Sequence, residues 1–254
     1  MSMRSPDHMP MGNAPARATA KETLWRLTAL TLSHPAPEFH AAIASGDFHA
    51  AFDSAWAQVT GRGWPGAEVC ADFAAFEAGF ITAFLHGRKG KPVAPLLAGD
   101  HDAILAGLTR PVFMLNLTSF YKHFGLRAAT EDEGRQDEPD HLASMTEFMA
   151  VLCHLEARAL AQGRDPDPTR RAQRDFLSRY LQPSLAAIAG LLRRDPVADL
   201  DPTVMQLVQD MAAWAEIQIA ELEARVGPFR DPDAPKPALA AAAQAAPATQ
   251  NLWG

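Results

Sequence analysis

The segment that decides the fold runs from Thr118 to Leu160 and reads TSFYKHFGLRAATEDEGRQDEPDHLASMTEFMAVLCHLEARAL. Its second half carries apolar residues at spacings of three and four, which is typical of one buried face of a helix. Its first half ends at Gly125, a residue that favours a left-handed helix stop. We therefore predict two helices joined by an acidic loop. The apolar positions of the second helix are Leu142, Met145, Phe148, Met149, Leu152, Leu155 and Leu160.

The second helix opens on Glu138-Pro139-Asp140-His141. Pro139 suits a first helical turn, because its missing N–H would have no intrahelical partner there. Glu138 and Asp140 place negative charge at the positive end of the helix dipole. The pattern predicts a helix over 139–162 whose charged tip presents side chains to a partner from a rigid base.

The loop over 130–138 is strongly acidic, and two interpretations of it stay open. Runs of like charge are commonly solvated surface, but a run beside Asp140 is also a candidate landing site for arginine side chains. The loop holds Glu131, Asp132, Glu133, Asp137 and Glu138 against the single cation Arg135.

The remaining chain favours an all-α fold. Its 254 residues are 48% hydrophobic, enough to bury a full core without a disulfide or metal. Ala and Leu are abundant while Val and Ile are scarce, which favours helices over sheets. We predict a single compact helical bundle-like domain of about eight to ten helices over 20–227. A disordered tail over 1–19 and a flexible Ala/Pro-rich tail over 228–254 are expected to flank it.

Individual helices are predicted from the same periodicity and from Pro and Gly breaks. They lie at about 20–33, 38–44, 48–59, 69–84, 101–124 with a break or kink before Pro111, 139–162, 176–192 with an interruption near Pro183, and 202–226.

Charge and composition limit the kinds of partner and the cellular compartment that the chain suits. The net charge of −7 makes nucleic acid an unsuitable partner and a cationic peptide a suitable one. Cys70 and Cys153 lie in apolar helical patterns, without zinc spacing, as expected for buried thiols in a reducing compartment. No apolar run is long enough to span a membrane, and the N-terminus lacks the apolar core of a secretory signal. A cytoplasmic protein is expected.

The motif F-Y-x-x-F-G-L, followed by E-P-D-H-L-x-x-x-x-x-F-M, resembles the signature of the TorD/DmsD-type redox-enzyme maturation chaperones. The resemblance implies an all-helical protein, not an enzyme and without a cofactor of its own. Such a protein binds the twin-arginine signal peptide and the catalytic subunit of a molybdenum oxidoreductase. It keeps that subunit in the cytoplasm until the molybdopterin cofactor is inserted. The resemblance leaves open a monomer or a domain-swapped dimer.

The same resemblance points to site residues. Asp140 and His141 fall on the family's ligand-binding hot spot, and neighbouring motif positions are Tyr121, Gly125, Leu126, Glu138 and Pro139. Our hypothesis is that Asp140 and nearby acids receive the arginines, while His141 orients Asp140 or contacts the peptide. Phe120, Tyr121 and Leu142 are expected to shape an apolar floor.

The chain departs from the family pattern at three places. Leu96-Leu97 stands where an aromatic and an acid are common, Tyr180 replaces a His, and Ser184 replaces a Trp. These departures suggest a divergent branch or a different client.

The sequence leaves two other functions open. The doublets His101-Asp102 and Asp140-His141 could supply the N and O donors of a helical metal-dependent phosphohydrolase, if they converge. Nucleotide-binding, serine-hydrolase and zinc-protease motifs are absent from the sequence. A passive helical adaptor within a larger complex is the third possibility.

Overall fold

The computed structural model describes residues 14–67, 72–87, 90–126 and 138–230. Within these ranges the regular structure is helical, which confirms the predicted all-α fold. A 3₁₀ turn lies at Ala98–Asp100, and a π-helical turn at Leu177–Leu181 joins two α-helices. The α-helices are α1 (Ala14–Leu32), α2 (Pro37–Ala44), α3 (Asp47–Thr60), α4 (Phe73–Phe84), α5 (Asp102–Leu105), α6 (Arg110–His123), α7 (Leu142–Ala161), α8 (Asp167–Phe176), α9 (Gln182–Arg194) and α10 (Pro202–Val226).

Helix α7 lies at the centre of the packing. It packs along α1 and against α8, while α1 also contacts α3 and α10, and α9 packs against α10. Leu142, Met145, Met149 and Leu152 of α7 are inaccessible to solvent. Each such side chain contributes about 1.5–3 kcal/mol when fully buried, so this face anchors α7 in the core.

The N-terminal boundary of the helical domain was predicted too late in the chain. Helix α1 begins at Ala14, so residues 14–19, which we predicted as tail, are helical. Ala18 and Ala20 are buried, and Arg17 donates hydrogen bonds of 2.9 Å and 2.7 Å to the two carboxylate oxygens of Glu221. This tertiary pairing with α10 extends the helix beyond what local periodicity indicates. Residues 1–13 and 231–254 lie outside the described residues.

The helix predicted over 101–124 is divided in two. Helix α5 ends at Leu105, and Ala106 and Gly107 follow with φ values of 49° and 86°. A left-handed backbone at two successive residues cannot continue an α-helix. Helix α6 then starts at Arg110 with Pro111 in its first turn, where a missing N–H costs nothing.

Aromatic rings hold α6 against α7 and the segment over 176–180. The rings of Tyr121 and Phe176 both lie 4.7 Å from that of Phe148, measured between centroids. Phe113, nearer the start of α6, lies 5.5 Å from Tyr180. Such pairs add about 0.5–1.5 kcal/mol each beyond their area of burial. They fix one face of α6 to the core and leave its other face to solvent.

Candidate functional site

The E-P-D-H segment forms a separate turn before α7. The sequence predicted instead that it would be the first turn of that helix. The His141 N–H donates a 2.8 Å hydrogen bond to the Glu138 carbonyl oxygen, closing a four-residue turn. Pro139 occupies its second position, which its fixed φ favours. His141 then caps α7, because its Nδ1 accepts a 3.2 Å hydrogen bond from the Ala143 N–H. Helix α7 begins one residue later, at Leu142.

The turn is fastened to a second segment, 96–99, by backbone contacts. The Ala98 N–H donates to the Asp140 carbonyl oxygen at 3.0 Å, and the Leu142 N–H donates to that of Leu96 at 2.9 Å. Leu97 and His141 form an antiparallel bridge between these two bonds. Leu96-Leu97, where the chain departs from the family pattern, therefore lies directly beside the motif.

The Asp140 side chain completes this junction and is fully buried. Its Oδ2 accepts a 2.9 Å hydrogen bond from the Gly99 N–H. A Cβ added at Gly99 would lie 2.7 Å from that oxygen and 2.9 Å from Arg110 Nε. The absence of a side chain at residue 99 therefore allows the carboxylate and the guanidinium to approach each other.

Three carboxylates surround the Arg110 guanidinium, and we call Asp100, Glu138 and Asp140 the acidic cluster. One terminal nitrogen of Arg110 donates to Asp100 Oδ1 at 3.0 Å, and the other donates to Glu138 Oε2 at 2.7 Å. The second nitrogen also lies 3.7 Å from Asp140 Oδ2. The side chains of Arg110, Asp100 and Glu138 are 39%, 38% and 51% exposed, so the cluster opens to solvent above a buried Asp140.

The charge of Asp140 is only partly compensated. Burial raises the pKa of its carboxyl above the ordinary range, although the Gly99 N–H and Arg110 act in the opposite direction. Its Oδ1 has no hydrogen-bond partner among the residues that the structure describes. Burial, and then the charge of Asp140, also raise the pKa of Tyr121, whose hydroxyl donates a 2.7 Å hydrogen bond to the Pro139 carbonyl oxygen.

The predicted site residues thus lie near one another but divide by exposure. Leu142 and Tyr121 are buried and Phe120 is half-buried among aromatic rings, so they do not form the open apolar floor that we expected. The prediction that Asp140 stands on an exposed tip is also wrong. Glu138 is exposed, whereas Pro139 and His141 are half-buried. At the far end of α6, Gly125 is exposed with φ 74° and Leu126 is half-buried.

Sequence reasoning missed Asp100, Arg110 and two exposed apolar side chains. Val112 and Leu115 lie one helical spacing apart on α6, close to Arg110, and are 44% and 62% exposed. The one local indication was Arg110-Pro111 at a helix start, where a cation is unfavourable beside the positive end of the dipole. A cation in that position suggests that nearby acids hold it.

Several sequence predictions stay untested or gain no support. Four acids of the loop, Glu131, Asp132, Glu133 and Asp137, and the thiol of Cys70 lie outside the described residues. In the described part of the chain no group of His, Cys, Asp or Glu side chains is arranged to hold a metal ion. His101 Nε2 instead lies 2.9 Å from the Pro95 carbonyl oxygen. The helices described also include none with the length and apolarity needed to cross a bilayer.

Comparison with known proteins identifies the family. The sequence pattern of the nitrate reductase delta subunit family matches residues 48–189, more than half of the chain and including the whole acidic cluster. The chain belongs to this family. No solved structure matches it.

Relatives with curated names support the same conclusion. The dimethyl sulfide dehydrogenase assembly chaperone protein of Rhodovulum sulfidophilum is 54% identical over 95% of both chains. The selenate reductase assembly chaperone protein of Thauera selenatis is 35% identical over 50% of this chain and 61% of its own. The perchlorate reductase assembly chaperone protein of Dechloromonas aromatica is 31% identical over 65% of this chain and 74% of its own.

These matches confirm the resemblance to the TorD/DmsD-type chaperones. The relatives are named as assembly chaperones and not as catalysts, and this member of the nitrate reductase delta subunit family is not an enzyme. The metal-dependent phosphohydrolase that we considered from two His-Asp doublets therefore has neither a relative nor a described metal site in its favour.

Proposed function

We propose that this protein is a cytoplasmic assembly chaperone that binds the twin-arginine leader and the catalytic subunit of a molybdenum oxidoreductase. Binding delays export until the molybdopterin cofactor is inserted. The names of the relatives support the assembly role, and the 54% identical relative points to a dehydrogenase or reductase of the same general class as the client. The leader-binding part of the proposal rests on the site.

The observation that carries the leader-binding proposal is the acidic cluster around Arg110. Asp100 and Glu138 engage the two terminal nitrogens of one guanidinium at 3.0 Å and 2.7 Å. These are distances of charge-assisted hydrogen bonds, and a planar guanidinium fits carboxylates better than an ammonium does. Since three carboxylates face one cation, negative charge remains to attract the basic part of a leader.

The apolar part of a leader would lie along α6. Val112 and Leu115 are exposed large hydrophobic side chains, within about 8 Å of Arg110 along the helix axis. A leader places its arginines just before its apolar segment, so acids followed by apolar side chains match that order. This pair replaces the apolar floor of Phe120, Tyr121 and Leu142 that the sequence suggested.

Apolar burial has to supply most of the binding energy. Micromolar affinity corresponds to about −8 kcal/mol. Partly exposed ion pairs contribute roughly 0.2–1 kcal/mol each, so two or three of them fall well short. The acidic cluster therefore sets the orientation and the preference for arginine, and contact along α6 contributes the larger share of the affinity.

Asp140 takes a revised role in this proposal. Because it is fully buried and bonded to the Gly99 N–H, it holds the two segments of the site together and positions Arg110 from below. Asp100 and Glu138, which are exposed, make the first contacts with the leader.

The test is titration of a leader peptide into the full-length protein. The leader peptide is a synthetic peptide with two adjacent arginines followed by an apolar segment of Ala and Leu. The double variant Asp100→Asn/Glu138→Gln should bind it about tenfold more weakly, because two carboxylates that pair with guanidinium are neutralised. Circular dichroism should show unchanged helix content.

A matched control separates the site from net charge. Glu38→Gln/Asp199→Asn removes the same two charges at exposed positions on α2 and in the loop before α10, and should bind like the wild type. A leader peptide with both arginines replaced by Gln should bind the wild type weakly. Equal weakening by the two double variants, or no preference for arginine, would show that the acidic cluster is not the receptor.

A further inference from the structure

Arg110 is surrounded by three acids but forms hydrogen bonds with only two of them. Its guanidinium bonds to Asp100 and Glu138 but stays 3.7 Å from Asp140 Oδ2, beyond hydrogen-bond distance. Asp140 Oδ1 has no hydrogen-bond partner among the described residues, although Asp140 is fully buried. The chain's own arginine therefore occupies the acidic cluster without satisfying its deepest carboxylate.

We infer that Arg110 is an internal ligand of the acidic cluster, which an arginine of the bound leader displaces. This inference rests on the proposed leader binding and adds a competitor to it. Arg110 is the first residue of α6, so the helix limits how far its guanidinium can descend towards Asp140. A leader arginine carries no such restraint and approaches Asp140 more closely.

Arg110 must leave its position before another guanidinium can reach Asp140. Asp140 Oδ2 accepts a hydrogen bond from the Gly99 N–H at 2.9 Å, and the half-exposed Arg110 guanidinium lies 3.7 Å from it. Since Gly99 has no side chain and its N–H is fixed in the backbone, an incoming guanidinium reaches Asp140 by taking the place of Arg110. The freed Arg110 is 39% exposed already and can turn into solvent through ordinary rotamer changes.

An internal ligand has a functional consequence. A tethered competitor is present at high effective concentration, so it lowers the apparent affinity for the leader. It also refills the cluster as soon as the leader leaves, so Asp100 and Glu138 regain their cation. Such a device suits a chaperone that has to release its client.

Affinity measurements on four full-length proteins test the inference. Arg110→Gln removes the competitor and should bind the leader peptide about three- to tenfold more tightly than the wild type. Arg110→Lys keeps the charge but loses the planar, two-pronged donor, and should fall between the two. Lys122→Gln removes an exposed cation from the last turn of the same helix and should stay within about twofold of the wild type.

Three outcomes would refute the internal ligand. If the wild type binds and neither Arg110 variant binds more tightly, the internal ligand is refuted while the proposed leader binding stands. An equal gain from Lys122→Gln refutes it too, because net charge alone then explains the effect. If none of the four proteins binds, the internal ligand and the proposed function fall together.

Stability and spectroscopy guard against a folding artefact. Thermal unfolding identifies any loss of fold in Arg110→Gln, in which case Arg110→Lys decides the matter. In the wild type, the Arg110 Nε–H resonance, assigned by its absence from the Arg110→Lys spectrum, should shift when the leader peptide is added. An unchanged resonance at saturating peptide overturns displacement.

Discussion

Two buried carboxylates near opposite ends of α7 are treated very differently by their surroundings. Glu156 accepts hydrogen bonds from Arg170 Nε at 2.7 Å and Gln173 Nε2 at 2.9 Å. Burial alone would raise its pKa, but Lys21, Arg170 and Gln173 outweigh burial and the pKa is lowered. For Asp140 the balance is reversed: burial outweighs the Gly99 N–H and Arg110, and the pKa is raised.

The difference lies in how far the charge of each carboxylate is compensated. Both carboxylate oxygens of Glu156 accept hydrogen bonds from α8, and the charge of Lys21 on α1 also favours the ionised form, so Glu156 has little capacity for another ligand. Asp140 stays undercompensated beside a cation that does not reach hydrogen-bond distance. A buried charge without full compensation is costly, and such groups concentrate at sites of function. This contrast supports the acidic cluster as the binding site.

The largest expected effect on stability comes from removing Glu156, the carboxylate whose charge is compensated. Glu156→Ala leaves Lys21 and Arg170 without their buried partner, and should lower the free energy of unfolding by about 3–5 kcal/mol. Urea unfolding at neutral pH measures this. Glu38→Ala on the exposed face of α2 is the control and should change stability by less than about 1 kcal/mol. A loss no larger than the control's would mean that the Glu156 network is not a structural tie.

A smaller and asymmetric effect is expected at Asp140. Asp140→Ala removes the acceptor for the Gly99 N–H and should cost about 1–3 kcal/mol. Asp140→Asn keeps an acceptor oxygen and removes an undercompensated charge, so its free energy of unfolding at neutral pH should equal or slightly exceed that of the wild type. The comparison is made by urea unfolding. If Asp140→Asn is as damaging as Asp140→Ala, then Arg110 compensates the charge fully and the contrast with Glu156 disappears.

Much of the fold was predictable because its determinants are local. The apolar spacing from Leu142 to Leu160 predicted the central helix, and the predicted range 202–226 coincides with α10. The start of α1 was not predictable in this way, because it depends on Arg17 pairing with Glu221, 204 residues away. Local patterns specify elements, and contacts between distant residues set their ends.

The geometry around the E-P-D-H motif was not predictable from the sequence. The motif lies in the proposed site, but Pro139 is compatible with both a helix start and the second position of a turn. The backbone hydrogen bond from the Leu142 N–H to the Leu96 carbonyl oxygen favours the turn. The residues of the motif alone do not predict this bond. Likewise, Asp140 contacts Gly99 and Arg110, which lie 41 and 30 residues from it in sequence.

The smallest effect, and the one that tests the contrast most directly, is the pH dependence of two isosteric variants. Asp140 has a raised pKa in the folded state, so as pH rises above about 4 the unfolded chain ionises first and stability is lost. Asp140→Asn does not titrate, and its stability relative to the wild type should therefore increase from acid to neutral pH. Glu156 has a lowered pKa, so its contribution is present at neutral pH and is lost as pH falls through the folded value.

Glu156→Gln should accordingly be less stable than the wild type at neutral pH, with the deficit shrinking in acid. The two differences in free energy of unfolding thus have opposite signs at neutral pH and converge towards zero in acid. Urea unfolding of both variants and the wild type from about pH 8 down to about pH 3 measures them, since the Glu156 contribution is lost only below its ordinary pKa of about 4.5. Curves of the same sign would place both carboxylates in equivalent environments, and the acidic cluster would then lose the electrostatic feature that distinguishes it from the core.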